Sequence, residues 1–265
     1  MPISESLKIN EIFYSVQGES TRIGLPTVFI RTTGCPMRCV YCDTAYAFHD
    51  GKNYTFEQIF DEIKQYGTKF VTVTGGEPLA QKSCFNFLSE LSDLNYEVSL
   101  ETGGAVSIKN IDPRIKIILD IKTPGSGEVE NNDWNNLSLI KSNDEIKIVI
   151  KDEEDYEWAK KLIINENLLG KGSILISPVH GEINPESLAS WILRDKLPVR
   201  LQLQLHKIIW GNKKEEILAR KIKTISPNVN ICKRLKLDSL ILLVSNIDLV
   251  IGPDTGPTHL SWALN

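Results

Sequence analysis

Three cysteines stand within the stretch GCPMRCVYCDT, Gly34 to Thr44. Cys35, Cys39 and Cys42 are spaced C-x3-C-x2-C, and Gly34 and Pro36 make a turn that lets their thiolates converge. Three is an odd number for disulfides and one short of the four protein ligands of a structural zinc site. Four readings follow. The cysteines are small buried hydrophobes, or a disulfide with a spare thiol, or a zinc site completed by His49. The fourth reading is a [4Fe–4S] cluster held by three thiolates, which leaves one iron open to a non-protein ligand. Arg38 and Asp43 among the cysteines weigh against plain burial.

Other residues able to do chemistry sit where strands are expected to end. TGGEP (Thr74 to Pro78) and ETGG (Glu101 to Gly104) carry glycine pairs, which let backbone approach a ligand closely. A plain turn is the alternative. Asp120 and Lys122 end another run, and Asp144, Glu145 and Lys147 begin one. Surface ion pairs would account for these equally well. Arg31 has the fork that pairs bidentately with a carboxylate. In LQLQLHK (Leu201 to Lys207), Gln204 and His206 lie two apart, so on a strand they face one side.

Short β-rich runs alternate with amphipathic stretches and must position these residues. Strands are expected at Thr27–Thr32, Phe70–Thr74, Glu97–Glu101, Ile115–Asp120, Glu145–Ile150, Ser173–Ser177 and Val199–Leu205. Helices are expected at Thr55–Tyr66, with Thr55 and Gln58 as a capping box, and at Ala80–Leu94, Glu153–Asn165 and Pro185–Arg194. Such alternation implies an α/β fold with a parallel sheet covered by helices, a partial or full barrel whose chemistry gathers at the C-terminal strand ends.

The 265 residues are 42% hydrophobic and carry net charge -4, an ordinary globular composition that needs no disulfide staples. Mild acidity gives no electrostatic reason to expect a nucleic-acid partner. No apolar run approaches a membrane span, and the N-terminus lacks a signal-peptide pattern. A reducing, cytoplasmic setting is the expectation, which favours metal ligands over disulfides.

The cysteine spacing, followed by GGEP, resembles the signature of radical S-adenosylmethionine enzymes. In that superfamily the open iron binds the cofactor's amino and carboxylate groups, and the radical chemistry is carried by the cofactor, with no catalytic side chain of its own. Further segments narrow the resemblance: EIFYSVQGESTRIGLPTVFIRTTGC, CDT, ETGG and LQLQLHK. From about Lys8 to Trp210 the chain is similar to the 7-carboxy-7-deazaguanine synthase family. One departure is Ser20, where the usual pattern QGEG has glycine.

The resemblance implies a radical-type partial (β/α) barrel and a small pterin substrate, 6-carboxy-5,6,7,8-tetrahydropterin. Its ring contraction with loss of ammonia feeds queuosine and other deazapurines. It implies substrate contacts at Val16, Gln17, Gly18, Arg31, Thr102, Gln204 and His206. S-adenosylmethionine contacts are implied at Gly76, Glu77, Gly104, Asp120, Lys122, Glu145 and Lys147, and a Mg²⁺ ligand at Thr44. A reductant such as flavodoxin and a homodimer complete the picture. A radical-generating activase acting on a partner protein's glycine uses the same cysteine and GGEP apparatus and is the alternative.

The core is expected over residues 1–211. Residues 212–265 resemble a piece of an ADP-heptose glycosyltransferase of lipopolysaccharide assembly, on IDLVIGPDTGPTHLSWALN, where Asp254, Thr255, Gly256 and His259 match a D-T-G-P-x-H pattern. That is a short, incomplete Rossmann-like α/β fragment, expected to be non-catalytic and to arise from a fusion or frameshift of neighbouring genes.

Overall fold

The computed structural model describes residues 5–210. Strands β1 (Ser6–Val16) and β2 (Pro26–Thr32) form an antiparallel hairpin, and β3 (Lys52–Thr55) pairs with the start of β1. Strands and helices then alternate. The order is α1 (Phe56–Lys64), β4 (Phe70–Gly75), α2 (Cys84–Asp93), β5 (Glu97–Thr102), β6 (Lys116–Ile121), β7 (Glu145–Ile150), α3 (Glu153–Asn165), β8 (Ser173–Pro178), α4 (Pro185–Arg194), β9 (Arg200–Leu201) and α5 (Leu205–Trp210). All nine strands join one sheet in the order β3-β1-β2-β4-β5-β6-β7-β8-β9. From β2 to β9 every pairing is parallel. With β3 and β9 as its edges, the sheet is a partial barrel with helices on one side.

The two faces differ in chemistry. Val28 and Ile30, Val71 and Val73, Val98 and Leu100, Ile146 and Ile148 all pack into one apolar core with Phe56 and Ile59 of α1, Phe87 of α2 and Tyr156 of α3. The alternating residues face the other way: Arg31, Thr72 and Thr74, Ser99 and Glu101, Asp120, Lys147, Ser177. Each buried aliphatic side chain contributes about 1.5–3 kcal/mol. A one-residue slip would turn the charged row into the helices, so this pattern fixes the register.

Most expected elements are present. The α1 capping box forms both bonds, with Gln58 N donating to Thr55 Oγ1 at 3.2 Å and Thr55 N to Gln58 Oε1 at 2.9 Å. The strand expected at Thr27–Thr32 is present as β2, preceded by an unexpected strand, β1. Two expectations need correction. The helix expected from Ala80 starts at Cys84, after a single 3-10 turn at Pro78–Ala80. The strand expected over Val199–Leu205 pairs with β8 only at Arg200 and Leu201, and the chain turns into α5 at Leu205. Gln204 and His206 therefore do not share a strand face. The glycosyltransferase-like residues 212–265 lie outside the described residues. Among the described residues, no helix is long and apolar enough to cross a membrane.

Candidate active site

The cysteine loop leaves the C-terminal end of β2. Gly34 takes a φ of +95°, which favours glycine, and its N–H donates to Ala47 O at 2.9 Å. Arg38, although exposed, braces the loop, donating from Nη1 to the carbonyls of Cys35 and Met37 at 2.7 Å each, while its N–H donates to Glu128 Oε1 at 2.7 Å. Val40 N donates to Ser126 O at 3.0 Å. Cys35, Cys39 and Cys42 are free thiols and half-buried. Burial pushes the Cys35 and Cys39 thiols up, and the Lys122 ammonium opposes it. Among the described residues, no group of three or more Cys, His, Asp or Glu side chains converges as a single metal ion requires. A four-iron cluster takes one thiolate per iron, so its ligands stand apart, and the unpaired thiols suit it. Thr44 Oγ1 lies 3.7 Å from Cys42 Sγ and caps no helix.

Two more loops pack beside it. Glu77 N donates to Gly34 O at 2.8 Å, and a side chain at Gly76 would run into that same carbonyl. A Cβ at Gly103 would displace Met37 Cε, which fills the space. The Glu77 carboxylate is 0% exposed. It accepts from Thr102 Oγ1 at 2.8 Å, Gly103 N at 2.8 Å and Leu79 N at 3.1 Å. Burial raises its pKa against these three donors. Gly104, at φ +76°, takes Asp133 N on its carbonyl at 2.8 Å.

The polar face of the sheet carries a row of linked charges. Asp120 Oδ2 lies 3.1 Å from Lys122 Nζ and 3.9 Å from Lys147 Nζ. Lys147 pairs with Glu19, whose other oxygen accepts from Gln204 Nε2 at 2.7 Å. Burial would raise the Glu19 carboxyl, but Lys147 and Gln204 hold it below its ordinary value. Burial likewise depresses Lys147, and Glu19, Asp120 and Glu101 outweigh it, so the ammonium is held above its ordinary value. Glu145, by contrast, opens β7 at the strand's other end. Its carboxylate accepts from Thr21 N at 3.0 Å and lies 2.7 Å from Lys116 Nζ.

The loop after β1 and the segment after β9 meet. Val16 ends β1 opposite Pro26. Gln17 is buried, donating to Thr72 Oγ1 at 3.2 Å and accepting from Glu19 N at 3.1 Å. Leu205 N donates to Gly18 O at 2.9 Å, and the His206 ring occupies the space a Gly18 side chain would need. Arg31 Nε is held by Glu11 at 2.7 Å, with its guanidinium over the Phe13 and Tyr46 rings.

Sequence reasoning missed Glu19, Ser177 and Gln202. The side chain of Glu19 joins two of the quoted segments, which only the fold reveals. Ser177 Oγ and Gln202 Oε1 are buried, as is Asp120 Oδ1, and none has a hydrogen-bond partner among the described residues. Ser177 and Asp120 lie on the polar face, so a polar ligand fits there. An apolar hollow of about 410 Å³ between Trp134 and Trp158 contains none of the site residues.

A parallel sheet with a three-cysteine loop at a strand's C-terminal end defines a radical S-adenosylmethionine enzyme, and the model for the Radical SAM superfamily matches residues 29–190. A protein of Chlorobaculum tepidum named 7-carboxy-7-deazaguanine synthase is 47% identical over 214 residues, covering 80% of this chain and 97% of that one. One of the same name from Koribacter versatilis is 37% identical over 219 residues, covering 77% and 97%. The chain belongs to the 7-carboxy-7-deazaguanine synthase family. The crystal structure of QueE from Escherichia coli superposes with a TM-score of 0.62 at 22% identity, over 76% of this chain and 95% of that one, which supports the fold. Residues 201–265 match the model for glycosyltransferase family 9 (heptosyltransferase).

Proposed function

We propose that this chain converts 6-carboxy-5,6,7,8-tetrahydropterin to 7-carboxy-7-deazaguanine with loss of ammonia, as a ring-contracting lyase of deazapurine biosynthesis. The observation that carries the reading is convergence. The QGES loop, the segment after β9 and the cysteine loop meet at one polar sheet face. When bound, a [4Fe–4S] cluster on Cys35, Cys39 and Cys42 and S-adenosylmethionine supply a carbon radical that removes and returns one hydrogen atom.

The chain's own residues bind and orient. Gly76, Glu77, Gly104, Asp120, Lys122 and Lys147 line the cofactor's side, and Glu145, at the far strand end, holds the QGES loop through Thr21 instead. Arg31, fixed by Glu11 and two rings, offers its remaining nitrogens to the substrate carboxylate. Val16, Gln17, Gly18, Thr102, Gln204 and His206 shape the remainder of the substrate site. The Thr44 hydroxyl serves Mg²⁺, an ion that takes oxygen ligands and keeps waters. A flavodoxin-type reductant, a homodimeric assembly and a cytoplasmic setting belong to the same proposal. Residues 212–265 are outside the catalytic unit, so a chain ending at Gly211 should match the activity of the full chain.

Anaerobic reconstitution should give a brown protein with about four irons per chain. The reduced protein, given S-adenosylmethionine and the carboxytetrahydropterin, should release the deazaguanine. No product from fully reconstituted protein overturns the reading.

A further inference from the structure

The Glu77 carboxylate sits at the meeting point of three loops. Its own N–H reaches the cysteine loop at Gly34 O, 2.8 Å away. Its side chain reaches forward to the loop after β5, taking the Thr102 hydroxyl and the Gly103 N–H at 2.8 Å each. It also takes Leu79 N at 3.1 Å, so it caps the turn that follows its own loop. Both carboxylate oxygens accept from protein donors, and none of its surface is exposed. A buried carboxylate held by three protein donors is an internal fastener, and losing it leaves those donors unsatisfied at a cost of about 1–3 kcal/mol.

We propose that Glu77 is a positioning residue. Its side chain clamps the glycine-rich loop after β5 against the cysteine loop, and it acts on bound S-adenosylmethionine through Thr102, Gly103 and Gly104. The packing around it agrees. Gly103 packs on the methyl end of Met37 of the cysteine loop, which a Cβ there would displace, and the Gly104 N is 3.3 Å from Thr102 Oγ1. Thr102 is thus the second half of the clamp. It donates to Glu77 and receives Gly104, which sets where the Gly104 backbone stands.

The inference rests on the cofactor reading above, and its test separates the two. Glu77→Gln cannot repeat the arrangement. N–H or O–H donors point at both oxygens, so the amide NH₂ must face one of them. Hydrogen exchange is measured over residues 101–106 in protein carrying its cluster but no S-adenosylmethionine. Cofactor affinity and the electron-paramagnetic signal of the reduced cluster with cofactor are measured beside it, in wild type, Glu77→Gln, Thr102→Val and Thr102→Ser. The expectation is faster exchange in Glu77→Gln and Thr102→Val without cofactor. Both variants should bind S-adenosylmethionine about tenfold or more weakly, the usual cost of removing a partner behind a ligand site. Their cluster signal with cofactor should move toward the cofactor-free form, and Thr102→Ser, which keeps the hydroxyl, should restore all three readouts.

Unchanged exchange in Glu77→Gln with weakened cofactor binding would mean direct ligation and overturns the proposal. Full cofactor affinity in Thr102→Val overturns it as well. Failure of wild type to bind S-adenosylmethionine strikes the cofactor reading instead, while the exchange comparison still decides the clamp.

Discussion

Lys207 Nζ donates to Asp43 Oδ2 at 2.8 Å, so the segment after the last strand is tied to the loop that carries the cysteines. Asp43 is half exposed, so the pair adds at most about 1 kcal/mol to stability. Its importance lies in placement. Lys207→Met should leave Tm nearly unchanged and raise the KM for the pterin while kcat holds, the sign of lost uniform binding. Equal loss of kcat and kcat/KM would count against that role.

Glu145 is fully buried beside Lys116 and holds the Thr21 backbone and hydroxyl. Removing it leaves a lysine without its counter-charge. Glu145→Ala should lose about 3–5 kcal/mol in denaturant unfolding, the usual cost of breaking a buried pair. Equilibrium dialysis should find the S-adenosylmethionine affinity of the folded fraction little altered, because the carboxylate serves the QGES loop.

Ser20 sits at φ 67°, a left-handed conformation that costs a non-glycine residue about 1–3 kcal/mol. Its Oγ accepts from Arg22 N at 3.0 Å and offsets part of that. Ser20→Gly removes strain and bond together and should lie within about 1 kcal/mol of wild type in urea unfolding. Ser20→Ala keeps the strain, loses the bond, and should be clearly less stable than either.

Burial holds the His206 pKa below its ordinary 6.5 in the folded chain. The unfolded chain therefore takes up the proton first. His206 gives no penalty above pH 6.5, and stability falls as pH drops below 6.5 toward the folded-state value. Urea titrations at stepped pH should show that slope in wild type and lack it in His206→Phe. Glu19 acts lower, where its contribution is lost as pH falls below about 4.5.

Gly76 packs directly on the Gly34 carbonyl. Gly76→Ala must push the cysteine loop away. Iron content after anaerobic reconstitution should fall well below about four per chain, while far-ultraviolet circular dichroism stays near that of wild type.

Much of this was legible in the chain. The runs TVFIRT, FVTVT and EIKIVI announce strands, and Thr55 with Gln58 announces a helix start, because each signal is local. In β1 the alternation of Leu7, Lys8, Ile9 and Asn10 is broken by the register shift between Ile9 and Glu11, so its signal is short and easily passed over. The alternation in LQLQLHK suits a strand, yet β8 offers partners only at Leu175 and Ile176, and beyond them the chain coils. The cysteines and glycine pairs were legible because their types are rare and their spacing strict. Glu19 gains its meaning from Lys147 and Gln204 far along the chain, and Ser177 and Gln202 from buried, unpartnered oxygens, which no local pattern encodes.

The sheet's order has a last consequence. Its ladder ends at β3 and β9, and across that gap the described contacts include Leu205 to Gly18, Gln204 to Glu19, and Lys207 to Asp43. Parting them breaks a handful of side-chain and loop bonds and leaves every strand pairing intact. Among the described residues, the two ends of the ladder are therefore joined by side-chain and loop bonds alone, the weakest kind of closure in the sheet, while the helices packed behind the strands hold the floor of the site.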